Sequence, residues 1–76
     1  MRRVFIVQPN QAGWIVLSEG LALEFASGAR AEAAARRLAH EHAETGACAE
    51  VRIVLRDGAL AGASLYEKGR GLAPAV

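Results

Sequence analysis

Hydrophobic and polar positions divide this chain into short extended segments around one helical stretch. Arg3–Gln8 reads RVFIVQ, β-branched and aromatic, which predicts a strand. It is apolar on both parities, with Val4 and Ile6 on one face and Phe5 and Val7 on the other, so it needs cover on both sides. Pro9-Asn10-Gln11-Ala12-Gly13 is turn chemistry. Trp14–Ser18 follows as the return strand of a hairpin. After Glu19-Gly20, Leu21–Phe25 alternates: Leu21, Leu23 and Phe25 point one way, Ala22 and Glu24 the other. That pattern predicts a third strand with one wet face.

Ser27 offers a helix N-cap, and a helix is expected from about Ala29 to about Thr45, ended by Gly46 just past its C-terminus. At 100° per residue, Ala31, Ala34, Ala35, Leu38, His42 and Thr45 share one face, opposite Arg36, Arg37, His40 and Glu44. An inner face of alanine supplies little apolar area, so the strands must form the bulk of the core. Glu50–Leu55 predicts a fourth strand, and Asp57-Gly58 a two-residue hairpin turn. Ala59–Tyr66 is the expected returning strand. Residues 1–66 read as one domain and 67–76 as a flexible tail. The expected fold is α+β: a two-layer sandwich of order β-β-(β)-α-β-β, an antiparallel sheet with one helix on one face.

One helix cannot cover two sheet faces. Phe5, Val7, Trp14 and Val54 are expected to form the open face. A chain of 76 residues has a marginal core unless something supplements it. The single cysteine, Cys48, permits no internal disulfide and argues against a thiolate metal site. Oligomerisation is the remaining aid, and the open face would serve a homodimer or another protein partner.

Charge narrows the partners. Nine basic and eight acidic residues give a net charge of +1, a weaker basic excess than a dedicated nucleic-acid binder carries. Arg2, Arg3, Arg52 and Arg56 would still form a basic stripe if the first and fourth strands are neighbours. Lys68 and Arg70 would extend it from the tail, and Phe5 or Trp14 could stack bases. The apolar run Val4–Val7 is too short for a secretory signal. No apolar stretch approaches the roughly 20 residues that span a bilayer. A cytoplasmic location and no membrane partner are therefore expected.

Catalytic parts are sparse. His40 and His42 lie about 200° apart on the helix, so they cannot share a metal, which needs histidines four residues apart. Cys48 would need a base and an orienting partner to act as a nucleophile. The eight carboxylates are dispersed, and no pair is suited to acid–base work. Lys68-Gly69-Arg70-Gly71 has the glycines of a phosphate loop without the helix that should follow. No catalytic residue, metal or cofactor is expected.

Taken together, the opening strand running into Pro9-Asn10, Gly13-Trp14 with Val16, the helix start Arg30-Ala31-Glu32-Ala33 and the Arg56-Asp57-Gly58 hairpin resemble the small prokaryotic family known as domain of unknown function 2188. The resemblance spans roughly residues 4–66. This chain departs from it in having one lysine, Lys68, and in placing Ala29 where the family has a threonine cap. The family has no known activity, so the resemblance implies a fold and no chemistry. The expectation is a non-catalytic interaction module, or a small regulator or inhibitor, with a nucleic-acid-associated module as the alternative.

Overall fold

The computed structural model describes residues 2–68 and 71–74, the last four as backbone only. In chain order the elements are β1 (Arg2–Asn10), β2 (Gly13–Ser18), β3 (Leu21–Phe25), α1 (Gly28–Glu44), β4 (Cys48–Val54), β5 (Leu60–Glu67) and β6 (Gly71–Pro74). They form a small α+β fold in which the sheet runs β3-β2-β1-β4-β5, with β6 added beyond β5.

The sheet is mixed rather than antiparallel. β1 and β4 pair in parallel at its centre, with Phe5 beside Val51 and Val7 beside Ile53, while the other neighbours are antiparallel. The cause is the crossover. A 17-residue helix rises about 25 Å, enough to carry the chain back along the sheet, so β4 re-enters parallel to β3 and β1. The chain beyond Glu67, expected as a loose tail, contributes β6, and Glu67 itself closes β5.

Helix α1 starts where the cap chemistry predicts. Ser27 is extended (φ −136°, ψ 154°) and its hydroxyl accepts from the Arg30 N–H at 3.2 Å. Thr45 closes the last turn, and Gly46 follows at φ 100°, a left-handed conformation that favours glycine. The buried stripe is Ala31, Ala35, Ala39 and Ala43, one residue per turn. Leu38 packs beside it, half-buried, but Ala39 and Ala43 replace Ala34 and Thr45 of the expected face. Small side chains let the helix backbone settle close to the strands. The bulk comes from below it: Phe5, Val7, Val16, Ala49, Val51 and Tyr66. Val7, Val16 and Val51 are fully buried, each worth about 1.5–3 kcal/mol relative to exposure.

Two turns show how backbone chemistry fixes the ends of the layers. The Asp57-Gly58 hairpin is one residue longer than expected. The Gly58 N–H donates to the Leu55 carbonyl at 2.9 Å and the Leu55 N–H to the Ala59 carbonyl at 2.8 Å, enclosing residues 56–58. A two-residue type I′ turn requires positive φ at both central positions, and only Gly58 has it (φ 90°). The Asp57 carboxylate caps the loop by accepting from the Ala59 N–H at 2.9 Å. At the helix entry, Gly28 lies against the Trp14 ring, where a Cβ would meet Cε2 at 2.9 Å.

Because Ala39 is fully buried against the sheet, Ala39→Leu should overpack this contact. Thermal unfolding should show a loss of about 1–3 kcal/mol, or roughly 4–8 °C per kcal/mol for a domain of this size.

Candidate functional site: the open face of the sheet

Registers across the strands decide which side chains share each face. Arg3, Phe5, Val7, Trp14, Val16, Leu21, Phe25, Val51 and Tyr66 follow the parity that faces the helix. Phe5 and Val7 are therefore core residues, 3% and 1% exposed, and not the open-face anchors that the sequence suggested. Trp14 also lies on the helix side, packed against the core. Of the four expected anchors, only Val54 is on the open face. For Phe5 and Val7 the reason is the ambiguity of β1: its run Val4–Val7 is apolar on both parities and carries no parity signal.

Every aromatic ring of the chain (two Phe, one Trp, one Tyr) thus belongs to the helix side. The open face is aliphatic. Ile6 sits opposite Leu17, with Ile15 beside Gln8 and Val4 beside Glu50, which in turn faces Leu65. Val54 pairs with Leu60 past a bulge that follows Ile53. Val4, Ile6, Ile15, Leu17, Val54 and Leu65 are half-buried, and Leu60 is 58% exposed.

A charged cluster interrupts this surface. Glu50 projects from β4 on the side without a helix, yet it is only 4% exposed. Arg2 and Arg52 lie over it. The Arg2 Nη1 donates to Oε1 at 3.2 Å, the Arg52 Nε to Oε2 at 2.9 Å, and the Arg52 Nη2 to Oε1 at 3.4 Å. Both carboxylate oxygens are satisfied, as a buried charge requires. The hydrogen bond from Arg52, followed by the attraction of both arginines, holds the Glu50 carboxyl below the usual carboxylate range in spite of its burial. Cys48 lies next along this face, its thiol 3.8 Å from Glu67 Oε2.

Of the six expected basic residues, the five that are described do not assemble into a stripe. β1 and β4 are neighbours, and Arg2 and Arg52 do share a face, but both are spent on Glu50. Arg3 points to the opposite side, where it donates to Ser18 Oγ at 2.9 Å and to the Glu19 carbonyl at 2.7 Å. Arg56 belongs to the β4–β5 hairpin, and Lys68 is exposed past the end of β5. Arg70 lies outside the described residues. Neither Phe5 nor Trp14 is on the face that carries Arg2 and Arg52, so no stacking platform accompanies them.

His42 is half-buried and meets the Phe5 ring edge-on, with centroids 6.5 Å apart. His40 is exposed. Among the described residues no three His, Cys, Asp or Glu side chains gather as a metal site, and no helix is long and apolar enough to cross a membrane. The sequence reading missed the Glu50 cluster. Its signal was present as Glu50 and Arg52 two apart on one strand, but Arg2 comes from a strand whose partner was unknown. No protein-family model, curated protein or solved structure matches the chain.

Glu50 ties stability to pH. Its folded pKa is depressed below the ordinary 4.5, so its contribution is fully present above that value and is lost as pH falls through the lowered folded pKa. Glu50→Gln should cost about 1–2 kcal/mol at neutral pH, discounted because the two arginine side chains are 51% and 46% exposed. Denaturant unfolding from pH 7 to 3 should also show a shallower acid decline in the variant than in the parent. Parallel declines would mean the carboxylate is not what Arg2 and Arg52 stabilise.

Proposed function

We propose that this domain is a non-catalytic interaction module that pairs with a second copy of itself through the open sheet face. The observation that carries the reading is the aliphatic surface of Val4, Ile6, Ile15, Leu17, Val54, Leu60 and Leu65, which no described element covers. A sheet this small gains little from one alanine-lined helix, and a second sheet laid face to face would give each copy the layer it lacks. The product would be a four-layer α-β-β-α dimer.

Size supports a reversible association. Five strands spaced about 4.8 Å apart and roughly 20 Å long present about 480 Å² of sheet per copy. Two copies would bury about 1,000 Å², close to the lower bound for a specific interface. Surface of that kind suits a complex that forms and dissociates with concentration. The Arg2–Glu50–Arg52 cluster is compatible with such burial, because its carboxylate is already neutralised and its arginines keep outward-facing donors. Arginine is enriched at interfaces for that reason.

Nucleic-acid association is the second reading, and the observations favour it less. Arg2 and Arg52 share one carboxylate, and the face they occupy has no ring for a base to stack on. Resemblance to the family of domain of unknown function 2188 fits either reading and distinguishes neither.

Light scattering over a tenfold concentration range should show the mass rising from 8.0 kDa towards twice that value. Leu17→Glu places a charge on this face opposite Ile6, without touching the helix side, and should hold the protein at monomer mass with its circular dichroism unchanged. A parent that stays monomeric throughout would rule the reading out. Oligonucleotide binding that weakens steeply with salt would favour the second reading instead.

A further inference from the structure

At the end of the sheet where β1 begins, a cleft of about 510 Å³ opens between the β2–β3 turn and the C-terminal end of α1. Its walls include Arg2, Arg3, Ser18, Glu19, His42 and Ala47. The volume is in the range of small-molecule sites. Arg3 distinguishes it from a surface dent. The guanidinium is held in place by neutral groups: it donates to Ser18 Oγ and the Glu19 carbonyl, and Ser18 Oγ is itself anchored by donating to the Val4 carbonyl at 2.8 Å. Its carbon lies 5.3 Å from the centroid of the buried Phe5 ring, which His42 meets from another direction. Among the described residues no carboxylate reaches Arg3 within ion-pair distance; the three salt bridges involve Arg2, Arg36 and Arg52. A firmly placed cation with no described carboxylate in ion-pair reach, facing a cleft, is arranged to receive an anion.

The opposite wall limits which anion. Glu19 adds a carboxylate beside Arg3 on the β2–β3 turn, and across the cleft His42 and Ala47 flank the C-terminal end of α1, where the helix dipole is negative. A phosphate dianion would be attracted on one side and repelled on the other. A planar carboxylate matches the guanidinium fork with a single charge, and a donor group on the same molecule would suit the electronegative wall. We propose that this cleft binds a small carboxylate that also carries a hydrogen-bond donor, the chemistry of a 2-amino or 2-hydroxy acid. Arg3 grips the carboxylate, while Glu19 and the end of α1 receive the donor.

The test is a titration of the ¹⁵N-labelled full chain with four probes: L-alanine, L-lactate, propionate and inorganic phosphate. Alanine or lactate should give saturable shifts at Ser18, Glu19 and Ala47, with a dissociation constant on the order of 1 mM. Propionate, which lacks the donor, and phosphate should bind several-fold more weakly. Arg3→Gln should weaken binding about tenfold, and Arg3→Lys by a similar factor, since an ammonium cannot form the paired hydrogen bonds. Glu19→Gln lies at an exposed turn and folds whatever becomes of the Arg3 variants. It should abolish the preference for alanine over propionate. No saturable response to any probe, tightest binding by phosphate, or an unchanged alanine preference in Glu19→Gln would each overturn the proposal.

Discussion

The rest of this structure depends on the contact between an alanine stripe and a valine-rich sheet. Ala31, Ala35, Ala39 and Ala43 recur at successive turns and are fully buried. With no side-chain bulk between them, helix and strands approach closely, and the space is filled by Phe5, Val7, Val16, Val51 and Tyr66 from the sheet. The arrangement works only in one direction. An alanine-lined helix adds little apolar surface of its own, so a single helix stabilises the face it covers and does nothing for the other.

That asymmetry explains the division of side chains between the two faces. All the aromatic residues, the largest apolar groups of the chain, are on the covered side, where burial returns the most free energy. The uncovered side keeps medium-sized aliphatics that shield one another, together with charged groups that neutralise one another. Glu50 is the extreme case: a carboxylate almost out of water on a face without a second layer, tolerable because two guanidiniums cover it and supply every hydrogen bond it needs. Arg3, one residue from Arg2, meets the opposite fate. It emerges on the helix side, is positioned by a hydroxyl, a carbonyl and an aromatic ring, and has no carboxylate within ion-pair distance among the described residues. Adjacent arginines acquire different chemistry because adjacent positions on a strand face opposite ways.

Local signals were read well from the chain. Ser27 caps the helix, Gly46 terminates it, Leu21 and Phe25 face the core, and the Asp57-Gly58 pair turns a hairpin. Each depends on a residue and its near neighbours, and each survived folding with shifts of a residue or two. The hairpin loop proved one residue longer because Asp57 keeps negative φ and only Gly58 takes the left-handed conformation. The α+β class followed from the order of these elements, since one helix among strands has few ways to bury its stripe.

What the sequence alone determined, then, was the helix and the first five strands, their caps and turns, and the imbalance of one helix against more sheet than it can cover, while β6 was missed. Only the tertiary structure decided three further points. It made the β1–β4 pair parallel, because strand direction depends on where a crossover returns the chain and not on the strand's own residues. It put Phe5 and Val7 under the helix and Val4 and Ile6 outside, because a run apolar on both parities has no preferred face until its neighbours impose one. And it brought Arg2 and Arg52 onto Glu50 and left Arg3 beside a cleft, because partners 48 residues apart meet only through the register of strands that local sequence does not encode.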